Sequence, residues 1–340
     1  FARWLHSFWR GELGLARATA ESFLREVERA ARPTEAAAAH RSLGLTCLFQ
    51  GDFEDARVHL EQTLRIYDPE RDREARYRFG QDSDVGATAY LAHAAWRLGD
   101  VGRARELIDE ADARAAESAH APTLANTYIF KTIFEIVRDD AEAALRAAEK
   151  GVALSRTHGL EHYVAFGSLA SAWGRAKLGD RDAGSTGLRQ ALAEYVGQGN
   201  KFLLPLFQGL LAEIDAEGGG AEAALAVIDG ALAGETGEHW FDAGLHRIRG
   251  EILLKQNPAD AAPAEAAFLA AIAVAQQQKA RSFELRAALS LAKFYQSTGR
   301  PIDAHDILGP ALEGFSPTPE FPEVGDAQAL VAAVEADARL

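Results

Sequence analysis

The sequence predicts an all-α fold: an α-solenoid of about eight helix–turn–helix units with a C-terminal capping helix. Three observations carry this expectation. Turn signals recur at Gly11, Gly51, Gly99, Asp139, Gly179, Gly219, Asn257 and Gly299, at steps of 40, 48, 40, 40, 40, 38 and 42 residues. Self-similarity at such a period marks a repeat architecture. After the turn, a small residue at the fifth position, a large apolar one four later and a small one three later make one helical stripe, as in Ala104, Ile108 and Ala111. Finally, 69 of the 340 residues are Ala, the best helix former and one that lets helix axes approach. The array is expected over residues 1–314, and a Pro-rich turn plus the cap over 315–340.

Unit one opens on Phe1, Trp4, Leu5, Phe8 and Trp9, an aromatic helix with no polar cap, so an exposed apolar end is expected there. Unit two follows with Leu43-Gly44, Gly51, Phe53, Ala56, Leu60 and Thr63. The excursion from Asp68 to Ser83 holds eight extra residues, and Pro69 stops the preceding helix. Its Arg71, Arg73, Arg76 and Arg78 form either a docking loop or a solvated charge cluster. Unit three carries Leu91, Gly99, Ala104, Ile108 and Ala111, and unit six Leu211, Gly219, Ala224, Ile228 and Ala231. Unit four is degraded, with Lys131 and Ala148 at expected large apolar positions, and unit five has Gly184 in place of Ala. Unit eight reads Leu291, Tyr295, Gly299, Ala304, Leu308 and Ala311. Pro317, Pro319 and Pro322 break the helix, and a last helix runs from Glu323 to about Ala338.

Several functions are excluded or left without support. The longest apolar run, Ala266 to Ala275, is about half a bilayer crossing. No signal peptide is visible at the start, and the single Cys47 suits a reducing cytoplasm. A net charge of −14 argues against nucleic-acid binding, which needs Lys and Arg to displace counterions. His158-Gly159-Leu160-Glu161-His162 matches an inverted zinc-protease pattern, but Gly159 falls at a unit boundary, so two surface histidines are expected instead. His239 and His246 lack a third ligand, Gly218-Gly219-Gly220 reads as a loose turn, and Cys47 as a buried inert thiol. No nucleophile, base and oxyanion site assembles, so the chain is expected not to be an enzyme and to need no cofactor or metal. There is no Met, even at position 1. Together with the abrupt aromatic start this suggests a piece of a longer polypeptide, or else a sequence whose modified methionines went unwritten.

The spacing resembles the tetratricopeptide repeat (TPR), with a period near 40 where about 34 is usual. The resemblance implies a right-handed superhelix whose first helices line a concave groove. Carried over by each unit's own turn, the groove positions are Arg41, Leu45 and Phe49; His93, Trp96 and Arg97; Asn126, Ile129 and Ile133; Phe166, Trp173 and Lys177; and Arg247 and Glu251. Of these, Arg41, Phe49, His93, Trp96, Asn126, Phe166, Trp173, Lys177, Arg247 and Glu251 are the candidate binding residues.

Further stretches resemble the C-terminal repeat region of multidomain bacterial class III adenylate/guanylate cyclases. They are His40-Arg41-Ser42-Leu43-Gly44, Tyr67-Asp68-Pro69, Phe79-Gly80-Gln81-Asp82 and the Leu91 to Gly99 helix. Gly237-Glu238-His239-Trp240, His246 to Leu254 and Ala280 to Ala288 belong to the same set. That resemblance implies a regulatory arm of a signalling protein, working with upstream ATPase and cyclase domains. The arm would bind a protein segment or small effector in its groove. The alternatives are an oligomerisation scaffold without ligand and the repeat region of an ATPase-type transcriptional regulator.

Overall fold

A computed structural model describes residues 1–234 and 236–337. Among these are eighteen helices and no strand. Unit one pairs α1 (Ala2–Trp9) with α2 (Leu13–Arg29), and unit two α3 (Pro33–Gln50) with α4 (Phe53–Ile66). A short α5 (Ala75–Phe79) lies in the excursion. Unit three pairs α6 (Ser83–Arg97) with α7 (Val101–Ser118), unit four α8 (Ala121–Val137) with α9 (Ala141–Thr157), and unit five α10 (Glu161–Lys177) with α11 (Arg181–Gly197). Unit six pairs α12 (Leu204–Glu217) with α13 (Ala221–Leu232) and unit seven α14 (Asp242–Gln256) with α15 (Ala262–Gln277). Unit eight pairs α16 (Arg281–Ser297) with α17 (Pro301–Leu312), and α18 (Glu323–Asp337) follows. Ala338, the expected end of that last helix, lies outside the described residues.

Local chemistry explains the hairpins. Gly11, Gly51, Gly99, Gly179, Gly219 and Gly299 sit at positive φ, where the turn leaves the first helix, and Asp139 takes the same conformation at φ 62°. Asp100 and Asp140 then cap the second helix by accepting from the N–H groups of Arg103 and Ala143. The two helices of a unit differ in burial. In α3 every residue from Ala36 to Phe49 is buried, whereas α4 buries only Phe53, Ala56, Leu60 and Thr63. A helix apolar on all sides belongs inside, and a striped one outside. The first helices of successive units accordingly stack on one another, α3 on α6, α6 on α8, and so on to α16.

Three departures from the sequence-based expectations concern the two ends and His162, and the excursion is tied down through its arginines. The apolar end is not exposed: α1 turns inward, with Trp4 and Phe8 buried and Trp4 Nε1 donating to Thr46 Oγ1 at 2.9 Å. Arg71, Arg73 and Arg78 of the excursion are exposed, as in a solvated cluster, but three of its four arginines are also tethered. Arg71 grips Asp72 at 2.7 Å, Arg78 pairs with Glu35 at 2.8 Å, and Arg76 donates to the Ser118 carbonyl at 3.0 Å. His162 is no surface histidine, since its ring centroid lies 3.8 Å from that of Trp9. The Pro-rich segment is a strap rather than a plain turn: Phe321 is fully buried, 5.4 Å from Trp96, and Glu320 pairs with Arg105 and Arg138 of units three and four.

The superhelix is wound tightly enough for one coil to rest on the next. After unit five, Lys201 N and Phe202 N donate to the Trp9 carbonyl at the end of α1. After unit six, His239 N and Trp240 N donate to the Phe49 carbonyl of unit two. After unit seven, Arg281 lies against Gly99 of unit three and Lys279 pairs with Glu54 of unit two at 2.5 Å. After unit eight the strap reaches Arg138 of unit four. The axis between the coils is filled with rings. Phe8, Phe202, Phe49, Trp240, Phe241, Phe283, Trp96 and Phe321 form an unbroken series with successive centroids 4.6–5.9 Å apart, a spacing at which aromatic pairs attract.

Candidate ligand cleft

Filling the axis changes the status of the groove residues. Arg41, Phe49, His93, Trp96, Asn126, Phe166 and Trp173 are all buried, between 0% and 6% exposed. They do not line an open groove: Phe49 and Trp96 are covered by rings of the next coil, and Arg41, His93, Asn126 and Phe166 by residues of adjoining segments. Arg41 donates to the Phe79 carbonyl at 3.1 Å. Phe49 belongs to the aromatic series, and Trp96 is held between Phe283 and Phe321 beneath the Arg286 guanidinium. His93 Nε2 bonds the Phe130 carbonyl at 2.9 Å, and Asn126 bonds Gln81 and Tyr90. Phe166 packs on Phe207, and Trp173 is fully enclosed. Leu45, Arg97, Ile129 and Ile133 are interior as well.

The remaining three candidates, Lys177, Arg247 and Glu251, do reach solvent, and the structure gathers them at one place. They lie where the inner ends of α8, α10, α12, α14 and α16 come together. Here a cleft of about 220 Å³ is lined by Asp139, Glu213, Arg247, Glu251, Arg286, Lys293 and Glu323 over an apolar floor of Ile136, Leu210 and Phe283. A second recess of about 370 Å³, holding Lys177, Arg181 and Glu217, joins it through the shared Glu213.

Charge pairing in the cleft is incomplete. Arg247 Nη1 donates to Glu251 Oε1 at 2.6 Å, and Ser290 Oγ donates to the same oxygen at 3.0 Å. Lys177 Nζ pairs with Asp139 at 3.0 Å, and Arg286 Nε with Glu323 at 2.6 Å. Arg286 also donates to the Val137 carbonyl, which locks α16 to the end of α8. Glu213 stands apart: its nearest cation, Arg247 Nη2, is 4.0 Å away. Burial raises the Glu213 pKa against the pull of Arg247 and Lys177. Burial works to lower the Lys177 pKa, but Glu213 and Asp139 outweigh it and the net shift is upward. For Arg286 burial wins and the shift is downward, opposed by Glu323.

No protein-family model and no curated protein matches this chain. Two of the solved structures similar to it are the following. One is yeast Tom70, at 14% identity and TM-score 0.44, with 98% of this chain and 64% of that chain covered. This chain thus spans less than two thirds of the Tom70 chain's length. The other is the P58(IPK) TPR domain, at 14% identity and TM-score 0.25, with 95% and 94% covered.

Asp139, Glu213, Arg286, Lys293 and Glu323 escaped the sequence reading, which transferred positions by register alone. A signal was present. Glu213 falls within the apolar stretch Gly209 to Ile214 of α12, and a charge among buried residues has to face a partner or a cleft. Among the described residues no group of His, Cys, Asp and Glu is placed to hold a metal ion, and no helix is long and apolar enough to cross a membrane. Cys47 is buried, and burial pushes its thiol up to about 12.

Proposed function

We propose that this chain is a non-catalytic interaction arm, and that the cleft around Glu213, Arg247 and Glu251 receives a protein segment carrying both a cationic and an anionic side chain. The observation that carries the reading is the incomplete pairing of Glu213, half-buried with its closest cation at 4.0 Å. A cationic side chain from a partner would complete that pairing, and a carboxylate could bridge Arg247 and Lys293 across the apolar floor. Along the axis the inner face is occupied by the protein's own rings. The arm would serve a larger cytoplasmic signalling polypeptide of the cyclase type that its scaffold segments resemble, shifting relative to upstream ATPase and cyclase domains when the cleft is filled.

Fluorescence anisotropy of a mixed-charge peptide library tests the reading. Selected peptides are expected to bind Glu213→Gln and Arg247→Met at least about tenfold more weakly than the unmodified chain, and to lose affinity with added salt. Wild-type affinity in both variants would rule the cleft out. Self-association seen by light scattering in all three proteins would point to a scaffold instead.

A further inference from the structure

Beneath α1 lies a second cavity, of about 240 Å³, that shares no residue with the charged cleft. Aromatic rings form its walls: Trp4, Phe8 and Trp9 from α1, Phe130 from α8, Tyr163 from α10, and Phe202 ahead of α12. No Asp, Glu, Lys or Arg lines it among the described residues. Its walls are held in place by buried bonds, from Trp4 Nε1 to Thr46 and from Lys201 N and Phe202 N to the Trp9 carbonyl.

Asn126 and His162 are among the lining residues that keep a polar atom without a protein partner. Asn126 is 6% exposed; its Nδ2 donates to Gln81 Oε1 at 2.6 Å and to Tyr90 Oη at 3.0 Å, while its Oδ1 accepts nothing. His162 Nε2 is buried and bonds nothing. Burial holds the His162 pKa down at about 4, so the ring is neutral near pH 7. Leaving the buried His162 nitrogen unpaired is costly. An apolar cavity of roughly 150 Å³ takes up benzene, so this larger one suits a two-ring molecule.

We propose that the cavity beneath α1 binds a small, flat, uncharged bicyclic heteroaromatic molecule. A donor on the ligand meets Asn126 Oδ1, or a ring nitrogen accepts from His162 Nε2–H. The absence of lining charge selects against ionised ligands, and the aromatic walls select for a planar one. This site is independent of the charged cleft.

Calorimetric titration of the full chain at pH 7 with three probes tests the proposal. Indole offers the donor, quinoline the ring nitrogen, and naphthalene only the shape. Indole and quinoline are expected to bind saturably at one equivalent, each at least about tenfold tighter than naphthalene. His162→Phe keeps a ring against Trp9 and should remove quinoline's advantage while leaving indole's. Leu45→Trp, which fills the cavity, should abolish all binding. Absence of saturable binding, naphthalene binding as tightly as the other two, or quinoline affinity unchanged in His162→Phe would each overturn the proposal. The His162→Phe arm decides the matter even if Leu45→Trp does not fold.

Discussion

At the scale of single residues, close approach and burial set the strongest constraints. Gly184 stands where the other units place Ala, and the reason is steric: a Cβ there would meet the backbone nitrogen of Ala176 at 2.6 Å. In unit two the corresponding approach is made by Gly44, whose Cβ would meet Leu60 at 2.6 Å. Gly184→Ala is therefore expected to destabilise the chain by about 1–3 kcal/mol in urea melts, since backbone cannot step aside as a flexible side chain does. Glu238 offers a pH handle. Its buried carboxyl accepts from Leu203 N at 2.9 and 3.1 Å at the start of α12, and burial pushes its pKa up to about 8 from the ordinary 4.5. Between those values the folded state holds a proton that the unfolded state has released, so the Glu238 contribution to stability falls as pH rises from 4.5 to 8. Relative to wild type, Glu238→Gln should become more stable by on the order of a few kcal/mol between pH 5 and pH 8. Parallel pH profiles for the two proteins would contradict this. Arg97 is a different kind of burial: it has no carboxylate partner, sits 4.5 Å over Trp240, and donates to the His93 carbonyl at 2.9 Å. Desolvation lowers its pKa to about 9, a sign of how far the axis excludes water.

At the scale of elements, the strap between α17 and α18 does more than end the last unit. Three prolines keep residues 317–322 out of a helix, and the freed chain carries Phe321 across to Trp96 and Glu320 across to Arg105 and Arg138. A capping helix alone would stabilise only unit eight. Phe321→Ala is expected to cost about 3–5 kcal/mol, and hydrogen exchange should rise in α6 and α8 as well as in α16. Exchange confined to α16 and α18 would show that the strap is only a terminal cap. The excursion of Asp68 to Ser83 is a second strap of this kind. Its buried Asp72 accepts from Arg71, Thr34 Oγ1 and the Asp68 N–H, which ties the connection between α4 and α6 back onto α3.

At the scale of the whole molecule, the decisive feature is contact between units distant in the chain. In an open solenoid each unit touches its neighbours, and stability spreads along one dimension. Here units five to eight rest on units one to four through Trp9, Phe49, Gly99 and Arg138. Thermal unfolding is therefore expected to be a single transition with matching calorimetric and van't Hoff enthalpies. Separate melting of the two halves would contradict that. The same closure leaves the charged cleft and the cavity beneath α1 as the sites proposed above.

The hairpins were legible in the sequence because their causes are local. A glycine at positive φ ends a helix, an aspartate caps the next, and small residues at fixed offsets mark where paired helices touch. That the first helix of each pair lies inside followed from the TPR resemblance, and the burial of α3 from Ala36 to Phe49 beside the striped α4 agrees with it. Whether the inner face is open was not legible. Seven of the ten candidate residues are buried, Phe49 and Trp96 among them against the next coil, while Lys177, Arg247 and Glu251 reach solvent. The physical reason is that superhelical pitch is a sum of small rotations from unit to unit. No single turn encodes that sum, and a modest change in it decides between a groove and a core. The sequence by itself determined an α-solenoid of repeated hairpins; the tertiary structure decided that its axis is closed and that Lys177, Arg247 and Glu251 stay open to solvent.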